Sequence, residues 1–243
     1  MKTVLDHGII LRVRPYRDTS VMVHWMTAEN GRITTAVRGA RGPKSAFRGK
    51  LDLFIEADLS LRWRDGAEVQ TLGEVLVTEH HAALRLEVAS LAILAHAVAT
   101  LEQVTEPSTP QFEAYQELLG LVRHLERHGP RPRALFAWEL RFLALQGLAP
   151  SPEELFGNSG PETEGLMELM ESITASDWEA ISALRTDAAT AQRLDRGLQR
   201  AWSGNFGRLP KTRAQALGLL GMGFRSPSLP PMTRESDGSS RST

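Results

Sequence analysis

An α+β architecture, a small antiparallel barrel followed by an all-helical domain, is predicted by three features of the 243-residue sequence. Short segments alternating apolar and polar residues with period two fill the first eighty positions. After Glu79 the pattern changes to the 3.6 period of helices. Hydrophobic residues make up 42% and charged residues 23%, ordinary usage for a soluble chain that buries a core.

The strands follow in order. In residues 9–13, Ile9, Leu11 and Val13 alternate with Arg12 and, beyond them, Arg14, as in a half-buried strand. Residues 21–26 form a second strand, apolar on both faces, and Asn30-Gly31 supplies a tight turn. Residues 32–38 alternate again, with Ile33, Thr35 and Val37 inward. Across 51–63, Leu51, Leu53, Ile55, Ala57, Leu59, Leu61 and Trp63 share one face. Asp65-Gly66 then turns the chain into a fifth strand over 68–77. Five antiparallel strands in about 75 residues predict a closed OB-fold barrel.

Residues 82–103 are helical and apolar nearly all round, which places this helix in a second core. Thr109-Pro110 reads as an N-cap and first helical position, opening a helix with Phe112, Tyr115, Leu118, Val122 and Leu125 on one side. Residues 133–146 repeat the pattern and end at Gly147. The stretch 149–165, rich in Pro, Gly and Glu, reads as loop. Ser176-Asp177-Trp178-Glu179 is a capping box, and helices near 187–203 and 211–220 follow. The expected domains are a barrel over 1–79, a helical domain over 80–224 and a disordered Ser/Pro-rich tail over 225–243.

The sequence has no cysteine, which excludes disulfides, thiolate zinc sites and cysteine nucleophiles. Arg12, Arg14 and Arg17 interrupt any signal-peptide core, and the longest charge-free apolar run, 88–101, is too short to span a bilayer. A cytoplasmic protein is expected. Catalytic signatures fail. Gly49-Lys50 lacks the earlier glycine and the Ser/Thr of a phosphate-binding loop. G-x-x-G-x-G at 218–223 reads as packing at a helix end, and there is no G-x-S-x-G. His124 and His128 read as a solvent-facing pair, His80-His81 as a capping or exposed pair, and Asp52, Glu56 and Asp58 as the wet face of the fourth strand. No metal, cofactor or catalytic residue is expected.

The net charge of −1 conceals blocks. Residues 12–50 hold nine Lys/Arg against two carboxylates, and residues 51–80 hold two against seven. Residues 142–184 carry eight carboxylates and no Lys or Arg, and residues 185–217 carry seven cations against two acids. A basic face attracts polyanions whatever the sum. Residues 38–50 contain five cations (Arg38, Arg41, Lys44, Arg48 and Lys50), Phe47, four Gly/Pro residues and no acid. Cations neutralise phosphates, glycines let backbone N–H groups approach them, and Phe47 offers a face for a base. Arg12, Arg14, Arg17, Arg32 and Tyr16 extend this surface from the first strands. Phe54 serves either as a stacking platform or as packing against the helices. A second basic cluster comprises Arg193, Arg196 and Arg200, at helical spacing, with Arg208, Lys211 and Arg213.

The segments G-I-I-L-R-V-R-P-Y-R-D-T-S at 8–20, T-A-E-N-G-R-I-T-T-A-V-R-G-A-R at 27–41 and P-K-S-A-F-R-G-K-L at 43–51 resemble the RecO family. So do E-L-R-F-L-A-L-Q-G-L-A-P at 139–150 and G-R-L-P-K-T-R at 207–213. The resemblance implies a non-enzymatic mediator of DNA repair and homologous recombination, associated with the nucleoid. It would bind single- and double-stranded DNA and anneal complementary strands. With RecR it would help load RecA recombinase onto DNA coated by the single-stranded-DNA-binding protein SSB. Many members carry four cysteines after the segment matching 148–150; here that region has none, so no zinc module is expected. A protein–protein adaptor is the alternative, with Arg133 and Arg141 as candidate contacts for the acidic, apolar SSB tail. A nuclease is disfavoured because no metal cluster or nucleophile is apparent.

Overall fold

In the computed structural model, which describes residues 1–156, 161–175 and 177–222, five strands precede eight helices. β1 spans Lys2–Tyr16, β2 Ser20–Thr27, β3 Gly31–Val37, β4 Glu56–Trp63 and β5 Val69–Glu79. They close in the order β1-β2-β3-β5-β4, with β4 returning to β1. This is the OB-fold order. β1 is longer than the 9–13 core because it serves two partners. Its first half pairs with β4 (Lys2 opposite Trp63) and its second half with β2 (Tyr16 opposite Ser20). β3 and β5 meet in parallel over three pairs only, Thr34–Val69 to Ala36–Thr71.

A bulge between Ile10 and Arg12 changes which side chains face inward. Ile10 enters the barrel with Val23, Trp25, Ile33, Leu59 and Leu61. The indole N–H of buried Trp25 donates to Thr35 Oγ1 at 2.9 Å. Ile9, Leu11 and Met26 face outward onto the helices, so β1 is buried on both sides. The fourth strand starts at Glu56 rather than 51. Residues 51–55 turn instead, with Phe54 at φ 62° and its N–H bonded to Ile10 O at 2.9 Å. Phe54 is buried in the helical core, and Leu53 is 37% exposed.

A 3₁₀ turn (Ala82–Leu86) leads into α1 (Val88–Val104), α2 (Phe112–His128) and α3 (Pro132–Leu145). Thr109-Pro110 does not cap α2; Gln111 precedes the helix, without a side-chain cap. The preceding segment is held against β3 instead, where Ser108 N donates to Arg32 O at 2.8 Å. Gly31 makes that approach possible: its φ is 64°, and a Cβ there would lie 1.9 Å from Thr109 O. Gly31→Ala is therefore expected to cost about 2 kcal/mol or more, read as a lower midpoint in urea unfolding.

The stretch 149–165 is not loop throughout: it contains α4 (Pro152–Phe156) and the start of α5 (Pro161–Ala175). The missed signal is a capping box with proline at the first helical position. Ser151 N donates to Glu154 Oε2 at 2.8 Å, and Glu154 N donates to Ser151 Oγ at 3.2 Å. α6 (Trp178–Ile181) is capped by Asp177, which accepts from Ala180 N at 2.8 Å. Ser176, Gly223 and the 225–243 tail lie outside the described residues. α7 (Ala188–Phe206) and α8 (Lys211–Leu219) complete the helical body, whose core includes Trp138, Phe142 and Trp202 stacked in sequence. No described helix is long and apolar enough to cross a membrane.

Candidate nucleic-acid interface

The β1–β2 turn and the β3–β4 connection meet at one end of the barrel. Tyr16 pairs with Ser20 and Val21 with Val37, so both connections leave the ladder at the same level. Arg41 N donates to Thr19 O at 2.9 Å and ties them together. The longer connection then coils through successive turns, with Ser45 N donating to Gly42 O at 3.1 Å, Arg48 N to Ser45 O at 3.3 Å and Lys50 N to Phe47 O at 3.1 Å. Gly39 and Gly49 hold φ of 67° and 74°, which L side chains rarely adopt.

Arg14, Arg17, Arg38, Arg41, Lys44 and Arg48 are all exposed. None of them forms an ion pair among the described residues. Tyr16 is 40% exposed, with the Arg17 guanidinium 5.2 Å from its ring centroid. Asp18 is the sole carboxylate in segments 12–20 and 38–50. A surface of this composition attracts a polyanion and offers one aromatic face. On the adjoining strand face His24 Nδ1 is hydrogen-bonded with the Thr34 hydroxyl at 3.1 Å. Burial and then Arg14 hold its pKa below the ordinary histidine value.

Several expected cations are committed elsewhere. Arg12 Nε and Nη2 donate to Glu102 of α1 at 2.6 and 2.8 Å, a bidentate pair that already neutralises it. Arg32 donates to Thr105 Oγ1 and O at 2.6 and 2.5 Å, fastening the end of α1 to the barrel. Lys50 Nζ donates to Val75 O at 3.3 Å. Phe47 is half-buried and packs against the barrel core, so its ring is not a free platform.

In the second cluster, Arg208 and Lys211 are exposed, but Arg213 is buried. Its Nε and Nη2 donate to Glu139 at 2.7 and 3.0 Å, and its Nη1 to Asp195 at 2.6 Å. Glu139 also takes His96 Nε2 at 2.7 Å. The motifs at 139–150 and 207–213 thus meet in one buried ion cluster. Arg196 Nε and Arg200 Nη2 bond backbone carbonyls of Gln192 and Leu155. Arg141 is engaged by Glu117 at 2.8 and 2.5 Å and lies over Trp178, so a tail contact there would have to share it with Glu117. Arg133 donates to Leu184 O at 3.0 Å. It also lines a groove of about 630 Å³ with Arg131, Arg185, Ala188, Ala191 and Met222.

Three acid and histidine assignments also change. Glu56 is buried, not wet, and its carboxylate is held down to about 2, first by the hydrogen bond from His81 and then by that from His7. His81 is 2% exposed. His124 is buried with Nδ1 2.7 Å from Trp178 O, because α6 packs across α2 at Gly120, where a Cβ would meet the Trp178 ring. Among the described residues, no group of three or more His, Asp or Glu side chains is placed to hold a metal ion.

Comparison with known proteins gives two matches along the chain. Residues 1–80 match the family model described as Recombination protein O N terminal, and residues 85–154 match Recombination protein O C terminal. A DNA repair protein RecO of Anaeromyxobacter sp. (strain K) is 30% identical over 158 residues, 65% of this chain and 62% of that protein. Its namesake from Actinobacillus succinogenes is 29% identical over 163 residues, 66% of each. That of Haemophilus influenzae (strain PittGG) is 29% identical over 149 residues, 60% of this chain and 61% of that protein. The chain thus spans somewhat under two thirds of the length of most of these curated relatives. With barrel order, helical body and both family models in agreement, the chain belongs to the RecO family.

Proposed function

We propose that this protein is a DNA repair and recombination mediator that binds DNA without sequence preference through the basic end of its barrel. The observation that carries the reading is a set of six exposed cations with no ion pair among the described residues, Arg14 near the end of β1 and five on the two connections held together by the Arg41–Thr19 hydrogen bond. Arg14, Arg17, Arg38, Arg41, Lys44 and Arg48 would track phosphates, with Tyr16 beneath a base and Arg208 and Lys211 as a second contact on the helical body. In this reading residues 1–79 are the DNA-binding domain and 80–224 the helical domain.

Annealing by such a surface needs no catalytic residue. Matching phosphate charge on two strands removes the repulsion that opposes their pairing. Loading of RecA onto SSB-coated DNA, with RecR as partner, is the wider role we assign from the family resemblance of the sequence; the relatives' name, DNA repair protein RecO, supports the repair role alone. The test is fluorescence anisotropy of a labelled single-stranded oligonucleotide at several salt concentrations. About six phosphate contacts give log affinity a slope near −4 against log salt. No binding at low salt would overturn the assignment.

A second reading has its own support. The groove at Arg133, lined by Arg131, Arg133 and Arg185 with Ala188, Ala191 and Met222 and by one carboxylate, Asp187, suits an acidic, apolar peptide such as the SSB tail. A pull-down in which that peptide is retained and DNA is not would make the protein chiefly an adaptor.

A further inference from the structure

The chain crosses from barrel to helical body in two residues: β5 ends at Glu79 and the 3₁₀ turn starts at Ala82, leaving only His80 and His81. His81 sits in the left-handed region, φ 45° and ψ 45°, which non-glycine residues rarely adopt. Its ring is buried between two carboxylates from opposite bodies. Nε2 lies 3.4 Å from Glu56 Oε2 on β4, and Nδ1 lies 2.8 Å from Glu126 Oε2 on α2. We propose that His81 is a proton-dependent lock on this hinge, holding the barrel to the helices as an imidazolium and releasing the hinge when it loses its proton.

The chemistry follows from counting hydrogens. A neutral imidazole carries one N–H, so it can donate to only one of two flanking carboxylates; the imidazolium donates to both. His7 on β1 repeats the arrangement, with Nε2 2.9 Å from Glu56 Oε1 and Nδ1 2.6 Å from Asp58 Oδ1. Arg123 of α2 adds a third cation, 3.2 and 3.3 Å from the same Glu56 carboxylate. With both rings protonated, three carboxylates (Glu56, Asp58 and Glu126) face three cations. With both neutral they face Arg123 alone.

The other groups around the ring do not substitute for the proton. Glu79 accepts the His80 and His81 backbone N–H, and Arg85 donates to the His80 and His81 carbonyls and to Asp52. Tyr115 meets His7 in an edge-on ring contact, and its hydroxyl is buried with no hydrogen-bond partner among the described residues. Burial opposes the charge on His7 and His81, but the carboxylate hydrogen bonds outweigh it, and both values are raised. The stabilisation is therefore complete below the unfolded value of about 6.5 and is lost as pH rises through the higher folded value.

The experiment is carried out on the full-length protein labelled at histidine Cε1. NMR titration is expected to give His81 a midpoint above 6.5. Hydrogen exchange across residues 79–87, corrected for intrinsic rate, is expected to rise along the same curve, about ten-fold for each unit of pKa elevation. Glu126→Gln lowers the His81 midpoint and moves the exchange curve with it. His81→Asn, which tolerates the left-handed backbone, makes exchange fast and removes the part of its pH dependence that follows the His81 titration. Should that variant fail to fold, Glu126→Gln still decides the question. A His81 ring that is neutral at pH 6, or junction exchange that ignores its titration, would overturn the proposal.

Discussion

Replacing Arg41, Lys44 and Arg48 together with glutamine is expected to weaken single-stranded DNA binding roughly 100-fold at 0.1 M salt. Each phosphate contact on a single strand contributes about 0.7 to the slope of log affinity against log salt, so three contacts remove about two decades at that concentration. The slope itself falls by about 2, which separates lost phosphate contacts from a general loss of active protein. Stability is expected to stay within about 0.5 kcal/mol of the parent, because all three side chains are exposed and form no ion pair. Arg62→Gln with Arg64→Gln provides the control, since both residues are exposed, Arg62 near the end of β4 and Arg64 in the turn after it, away from the basic connections. A triple variant with unchanged affinity and slope would exclude the 38–50 connection as the DNA site.

Arg213→Met is expected to act on the other property. Removing the guanidinium leaves Glu139, fully buried, facing only His96. Breaking a buried pair in this way costs about 3–5 kcal/mol, and the melting temperature falls roughly 6–20 °C for a chain of this size. The salt slope of DNA binding does not change, because Arg213 is not on the surface. Glu139→Leu combined with Arg213→Met is expected to recover most of the loss, since an apolar pair of similar volume avoids the stranded charge. Calorimetry of the two variants checks both statements. A single-variant cost below about 1 kcal/mol would show that the cluster is not what joins α1, α3, α7 and α8.

The same cluster sets an acid limit. Burial pushes the Glu139 carboxyl up, and the Arg213 guanidinium and His96 outweigh it, leaving the group below the ordinary carboxylate value. Its contribution is therefore present above the unfolded value of about 4.3 and is lost as pH falls through the depressed folded value.

The alternation of apolar residues located all five strands, and the same reading identified the barrel they close. It failed where tertiary contact decides orientation. The bulge at Ile10 reverses which β1 residues enter the barrel, and nothing local in I-I-L-R-V announces it. Residues 51–55 fit strand alternation, yet the backbone pairing of Phe54 and Ile55 with Ile10 bends them away. For the candidate site, the sequence shows the cations of the connection 38–50 and the lack of any acid among them. It does not show the partners that engage Arg12, Arg32, Arg141 and Arg213. Their partners lie 90, 73, 24 and 74 positions away, a separation that no short sequence window spans. The histidines were misjudged for the same reason: Glu56 and Glu126 reach His81 from different elements.

The barrel closes between β3 and β5 through three parallel pairs, while its other four contacts run to seven or eight. The connection 38–50 departs from β3 immediately beyond that short contact. It hangs from the weakest seam in the cylinder, fastened by Lys50 to Val75 and by Arg41 to Thr19. Local opening begins where the fewest hydrogen bonds must break. The loop can therefore change course while the other four ladders stay shut, so a firm frame and an adjustable segment reside in the same small cylinder.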